Sequence, residues 1–225
     1  SGTLDGIGKL PLFTVDDNGP LSGISIRCEN KTTTLFSTDR TVVYTITRTS
    51  GEAEKPKFEF VLPSEIALAI AKIGITATSK ISLGSLSNGL AFILRWDNGD
   101  GTNGHITSRV IAGAMPNIDR VFDNAPKEKL VVNRLNLLEA SKLYFTITEI
   151  GSLTIGVVAD GLEIKSSQFN KKIPFSGSDN TATSKLPLAV SVDVKKLTSV
   201  LTQIPDEEVT VFVNEDKPYL VFKGS

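Results

Sequence analysis

A strand-and-helix unit that occurs twice constrains this 225-residue chain more than any other feature. In the first copy, Thr34-Leu35-Phe36-Ser37-Thr38-Asp39 leads through Val42-Val43-Tyr44 to a helix pattern from Pro63 to Ile73. Strand patterns follow at Lys80 to Leu83 and Leu90 to Arg95. In the second, Thr154-Ile155-Gly156-Val157-Val158-Ala159-Asp160 leads through Leu162 to Ile164 to a helix pattern from Asp193 to Ile204. Strand patterns follow at Val209 to Val213 and Tyr219 to Phe222. Pairing Asp39 with Asp160 gives an offset of 121 (160 − 39), and pairing Ile73 with Ile204 gives 131 (204 − 73). A near-constant offset over several landmarks points to duplicated domains, each of ordinary size at roughly 100 residues. The expected division is a domain over 1–114, a Gly- and Pro-containing connection over 115–126 and a domain over 127–225.

Within that frame the local signals are clear. Residues 1–20 read as an irregular lead-in with at most a short strand around Leu12 to Val15. Ile24 to Thr47 is Thr- and Val-rich and strand-like, with breaks at Glu29-Asn30-Lys31 and Asp39-Arg40. Pro63-Ser64-Glu65 opens a helix, because Pro suits the first turn and Glu suits the positive end of the dipole. Ile66, Ile70 and Ile73 form its apolar stripe and Gly74 ends it. Asn133 is the expected N-cap of a helix through Leu137, Leu138, Ala140 and Lys142. Phe175 to Leu186 reads as a Ser/Thr-rich loop. Asp193 caps the last helix, with Leu197, Leu201 and Ile204 on one face, and Pro205 stops it. The fold class expected is α+β: antiparallel sheets with one or two helices per domain packed on one face.

Charge narrows the functional classes. With 24 basic and 25 acidic residues the net charge is −1, which argues against attachment to nucleic acid by bulk charge but not against a local basic surface. The single cysteine, Cys28, continues the alternation Ile24, Ile26, Cys28 and reads as a buried strand residue. It rules out an intramolecular disulfide and fits a reducing compartment. No apolar run approaches the ~18–20 residues of a membrane span.

Chemical motifs are few. Gly99-Asp100-Gly101-Thr102-Asn103-Gly104 matches the dinucleotide fingerprint by letter, but that motif must open a helix. His105-Ile106-Thr107-Ser108-Arg109 alternates like a strand, so the segment reads as a hairpin turn. The acidic spacing of Asp97 and Asp100 does not match a calcium loop. One His and one Cys exclude zinc sites built from these residues, and His105 reads as a surface residue. No catalytic, cofactor-binding or metal-binding set emerges. Lys72, Arg134, Lys142, Lys195 and Lys196 fall on the helix patterns; from composition alone they are solvated helix faces, with a sparse lining for a polyanion as the alternative.

Several segments resemble the bacterial DNA polymerase III β subunit family, the DNA sliding clamps. Met115-Pro116-Asn117-Ile118-Asp119-Arg120-Val121-Phe122 is similar to the family's Phe-Pro-Asp-Tyr-Arg-Arg-Val stretch. Leu137-Leu138-Glu139-Ala140-Ser141-Lys142 resembles the opening helix of its last domain. Val192 to Ile204 with Glu207-Glu208-Val209 and Lys217-Pro218-Tyr219-Leu220-Val221 resembles that domain's second helix and hairpin. Thr38-Asp39 resembles part of an Ala-Thr-Asp-Gly-His-Arg-Leu segment.

The resemblance implies repeated β-α-β-β-β units, six of which close a ring around duplex DNA with helices lining the hole. It favours the sparse-lining reading of Lys72, Arg134, Lys142, Lys195 and Lys196. It places Thr38, Asp39, Arg40, Pro116, Arg120, Val121 and Phe222 at a groove for short peptide motifs of polymerase and clamp loader. It also implies a cytoplasmic, non-catalytic subunit without cofactor that forms a homo-oligomeric ring. Departures accompany it. Gly-His-Arg-Leu is replaced by Arg40-Thr41-Val42-Val43, Asp193 and Lys196 stand where Asn and Tyr are frequent, and the first repeat lacks a clear opening helix. Two repeats stand in place of three, which fits either a piece lacking an N-terminal domain or a two-repeat clamp whose three copies supply six repeats. Two other readings remain: a β-rich ligand-binding or adhesion module without catalytic activity, which predicts no helix over Asp193 to Ile204, and a hydrolase using Asp and His.

Overall fold

The computed structural model describes residues 6–49, 55–73, 75, 80–86, 89–119, 129–176, 189–213 and 220–223. The chain divides into two compact units, Ser1–Asn117 and Ile118–Ser225. In unit 1 a 3-10 run, Ile7–Phe13, precedes β1 (Gly23–Asn30), β2 (Thr32–Thr38), β3 (Val43–Thr49), β4 (Lys55–Pro63), α1 (Ser64–Lys72), β5 (Lys80–Leu86), β6 (Ala91–Asp97) and β7 (Asn103–Arg109). The strands form two antiparallel sheets, ordered β3-β2-β1-β4 and β5-β6-β7. Unit 2 holds β8 (Lys129–Asn133), α2 (Arg134–Thr148), β9 (Ser152–Val158), β10 (Gly161–Lys165), β11 (Asn170–Pro174), β12 (Ala189–Asp193), α3 (Val194–Gln203), β13 (Glu208–Val213) and β14 (Leu220–Lys223). Its antiparallel sheets are ordered β11-β10-β9-β12 and β14-β13-β8.

The sheet orders superimpose β1-β2-β3-β4-α1 on β9-β10-β11-β12-α3 and correct the register of the repeat. The turn after the first of these strands carries Asn30 in unit 1 and Asp160 in unit 2, an offset of 130 (160 − 30). The helix N-caps, Pro63 and Asp193, are also 130 apart (193 − 63), and the C-caps Ile73 and Ile204 are 131 apart. Asp39 instead follows β2, so its counterpart lies between β10 and β11, not at Asp160. Thr- and Val-rich runs ending in Asp look alike in neighbouring strands, because period-two alternation does not say which strand of a sheet is being read.

Caps and buried periodicity build the helices. The Asn133 side chain accepts from the Asn136 amide at 3.0 Å, and Asp193 accepts from the Lys196 amide at 2.9 Å. α3 buries Val194, Leu197 and Leu201, the i, i+3, i+7 stripe of an amphipathic helix. α1 buries Ala67 and Ile70, with Glu65 in its first turn and Lys72 in its last, which matches the helix dipole.

Each unit closes its own core. Ile24, Ile26, Leu35, Leu62, Phe92 and Leu94 are fully buried in unit 1, where Phe60 stacks on Phe92 at 5.5 Å. Leu130, Val132, Leu137, Leu162, Leu201 and Val209 are fully buried in unit 2. There Tyr144 meets Phe169 edge-on at 5.6 Å and donates its hydroxyl to the Ser152 carbonyl at 2.9 Å.

Two elements differ from the sequence expectation. The lead-in is not irregular: Ile7, Leu10 and Phe13 are buried at i, i+3 and i+6, the period of a 3-10 helix, and the run packs against α1. A Cβ on Gly8 would come within 2.7 Å of the Ala71 Cβ, so Gly permits this close approach. α2 packs against α3 in the same way, so the 3-10 run stands in for the opening helix that the first repeat lacks. The second element is β11, Asn170-Lys171-Lys172-Ile173-Pro174, in which Ile173 alone is buried. It is an edge strand, and Lys and Pro are residues that protect an exposed edge while weakening its strand signature. The expected loop over 175–186 lies mostly outside the described residues.

Candidate functional site

The five basic residues expected on the helices divide by environment. Lys72 is exposed in the last turn of α1. Lys142 is exposed on α2, and Lys195 is exposed on α3 with its Nζ 5.8 Å from the centroid of the Phe145 ring of α2. Because Phe145 follows Lys142 by three positions, Lys142 and Lys195 share the outer surface of the α2–α3 pair. Lys196 is half-buried beside the cap it shares with Asp193.

Arg134 departs from the expectation. Its Nε donates to the Asp206 carbonyl at 2.6 Å and its Nη1 donates to the Leu201 carbonyl at 3.0 Å. The Arg134 amide also donates to the Glu207 carbonyl at 2.8 Å. A cation at the carbonyl end of α3 complements the helix dipole, so this guanidinium fastens α2 to the end of α3.

The same helices expose apolar side chains that the sequence reading missed. Leu135, Leu143 and Ile147 on α2, and Leu68 on α1, are all more than two-fifths exposed. With Glu139, the α2 residues make an i, i+4, i+8, i+12 line. A shallow cleft of about 220 Å³ beside this line is bounded by Asn136, Glu139, Leu143, Lys171, Lys172 and Pro174. α2 carries apolar residues on several sides, so its periodicity does not mark which of them are covered.

Three of the residues expected at the peptide groove form one built turn in unit 1. The buried Thr38 donates its hydroxyl to the Val42 carbonyl at 2.7 Å and accepts the Arg40 amide at 3.1 Å. Asp39 Oδ1 accepts the amides of Thr41 and Val42 at 2.9 and 2.7 Å and the Thr41 hydroxyl at 2.8 Å. Between them Arg40 has φ +77, and its exposed guanidinium lies 3.6 Å from the Asp17 carboxylate. Pro116 is exposed, flanked by buried Met115 and Ile118. Phe222 lies on β14 opposite Val211 and packs on the unit 2 core. Arg120 and Val121 lie outside the described residues.

The remaining motifs hold no constellation. Asn98 to Thr102 is the hairpin turn between β6 and β7, with Asp97 accepting the Gly99 amide and Asp100 the Thr102 amide, and Asn103 and Gly104 already belong to β7. The Thr102 amide and hydroxyl hold the exposed Asp100 carboxyl below its ordinary range. His105 is exposed on β7. Among the described residues no group of three or more His, Cys, Asp or Glu could hold a metal ion. No described helix is long and apolar enough to cross a membrane. Cys28 is buried on β1, with its sulfur 3.4 Å from Thr33 Oγ1.

Two tandem α+β units, each pairing two antiparallel sheets with an amphipathic helix, repeat one architecture along the chain. Solved structures of DNA sliding clamps share this architecture. The chain superimposes on a DNA polymerase III β subunit from Eubacterium rectale with a TM-score of 0.80 and 17% identity, covering 99% of this chain and 60% of that one. The β subunit of DNA polymerase from Streptococcus pyogenes matches with a TM-score of 0.79 and 16% identity over the same shares of the two chains. A Pseudomonas aeruginosa sliding clamp bound to griselimycin matches with a TM-score of 0.75 and 15% identity, again over 99% and 60%. The chain thus spans about 60% of the length of these clamps and has the sliding-clamp fold. No protein-family model and no curated protein matches it in sequence. The helix Val194–Gln203 removes the distinguishing expectation of the adhesion-module reading.

Proposed function

We propose that the chain is a non-catalytic DNA sliding clamp or clamp-like processivity factor that holds replication and repair partners on duplex DNA. The clamp fold across 99% of the chain carries this reading. Exposed Lys72, Lys142 and Lys195, with half-buried Lys196, serve as the sparse phosphate contacts. Arg134 leaves that set because its guanidinium is committed to α3. A ring needs only weak, sequence-blind contacts, since topology rather than affinity retains it, so a net charge of −1 is compatible with the task. As a two-repeat clamp, three copies would supply the six repeats of a closed ring; as a piece of a three-repeat chain, two copies of that chain would.

Thr38, Asp39, Arg40, Pro116, Arg120, Val121 and Phe222 are proposed to receive short partner peptides of polymerase and clamp loader. An apolar motif entering a preformed groove reaches micromolar affinity, about −8 kcal/mol. The test is fluorescence polarisation with a labelled Gln-Leu-x-Leu-Phe peptide against a scrambled control, in the intact chain and in Arg120→Ala. Saturable binding that disappears on scrambling and weakens in Arg120→Ala supports the reading. Equal binding of both peptides, or none, overturns the groove assignment.

A further inference from the structure

We propose that Arg40 reads a carboxylate on the partner, so that this surface selects peptides bearing an acidic side chain beside their apolar anchors. The inference rests on the partner-peptide reading of the Thr38–Asp39–Arg40 turn. Its starting observation is backbone strain: Arg40 sits at φ +77, a conformation that Gly adopts freely and that costs a long side chain about 1 kcal/mol.

The strain is held in place rather than relaxed. Thr38 Oγ1 accepts the Arg40 amide, and the Asp39 carboxylate takes three donors from Thr41 and Val42. These bonds would hold the same turn with Gly at 40, so none of them needs the Arg side chain. What Arg adds is a guanidinium whose side chain is 68% exposed. Its Asp17 neighbour is a loose pair at 3.6 Å, and Asp17 Oδ1 already accepts the Gly19 amide at 2.7 Å. An exposed pair of this length contributes little to stability. The planar fork of Arg is suited to a bidentate carboxylate, a geometry that the Asp17 contact does not use.

The experiment compares peptides on the intact chain. The probes are amidated Gln-Leu-Ser-Leu-Phe, the same peptide extended by Glu at either end, the matching Gln extensions, and the peptide with a free C-terminal carboxylate. At low salt, at least one Glu peptide is expected to bind about 5-fold tighter than its Gln partner, the scale of an exposed charge pair. Arg40→Gly should abolish that ratio and unfold at the same or a higher temperature because strain is relieved. Asp17→Asn should widen the ratio by freeing the guanidinium. Preference for the free C-terminus alone would replace the side-chain assignment with recognition of a peptide end and overturn the proposal as stated. A Glu/Gln ratio near one in the wild-type chain, or an unchanged ratio in Arg40→Gly, refutes the role of Arg40 and leaves the groove standing. If no peptide binds the wild-type chain, the groove reading fails and Arg40 with it.

Discussion

Arg134→Ala separates a structural cation from a DNA-facing one. The guanidinium makes two bonds, 2.6 Å to the Asp206 carbonyl and 3.0 Å to the Leu201 carbonyl. A hydrogen bond from a charged donor contributes about 1.5–3 kcal/mol net when buried, and the half-exposed setting of Arg134 puts each at or below the lower end. The expected loss is about 2–3 kcal/mol of unit 2 stability, or roughly 10–15 °C in the melting temperature of a unit of this size. The two units can be followed apart in the whole chain. Trp96, the only tryptophan, lies on β6 of unit 1, so its fluorescence reports unit 1 while far-ultraviolet circular dichroism reports both. The dichroism should acquire an early transition while the fluorescence midpoint stays put. In DNA binding at a temperature where both proteins are folded, the salt slope should be unchanged. Lys142→Ala should do the reverse, lowering the slope by about 0.9 if it neutralises one phosphate and leaving stability alone. A variant that loses less than about 0.5 kcal/mol and drops a unit of salt slope would refute the argument, since such a loss is what an ordinary surface substitution costs.

Two further outcomes follow from the geometry. A Cβ at Gly161 would overlap the Ile173 carbonyl oxygen, a backbone atom that cannot rotate away. Gly161→Ala should therefore cost about 2–3 kcal/mol in urea unfolding as β10 and β11 are pushed apart, whereas Gly151→Ala, with open space around it, should cost little. Burial raises the Tyr44 hydroxyl above its ordinary pKa, and Arg48 only partly opposes this. The folded state therefore favours the neutral phenol, so the contribution is complete below about pH 10 and is lost as pH rises through the folded value. Urea midpoints compared at pH 9 and pH 11 should fall less in Tyr44→Phe than in the wild type, and equal falls would show that Tyr44 is not the group responsible.

The legible parts of the sequence were those encoded locally. Asn133 and Asp193 announce helix starts because a cap bonds an amide three residues ahead, and the helix through Leu197 and Leu201 follows from its own period. The exposed turn around Gly99 and Gly101 is legible for the same reason. What failed depends on distant partners. The repeat slipped because strands β2 and β9 look alike until their neighbours in the sheet are known. The 3-10 run Ile7–Phe13 is held by α1, which lies more than fifty residues away in sequence. Arg134 reads as a free surface cation until Leu201 and Asp206 are brought to it. Arg40 shows the converse: its letter is visible, but its left-handed backbone is not.

The corrected offset of 130 also sets the two units side by side for comparison. The two units of this chain share the strand order of their four-stranded sheets and a helix packed on its partner, yet one builds that partner as a fifteen-residue α-helix and the other as a seven-residue 3-10 run. The packing requirement is met by a buried apolar row, Ile7, Leu10 and Phe13 in one unit and Leu137, Ala140 and Tyr144 in the other, and the outward residues are free to change. The proposed clamp role would relax those outward positions further, because no base edge has to be matched and few phosphates need neutralising. On that argument, substitutions along exposed Leu135, Leu143 and Ile147 should leave the fold intact, while a single polar substitution at buried Leu137 should not.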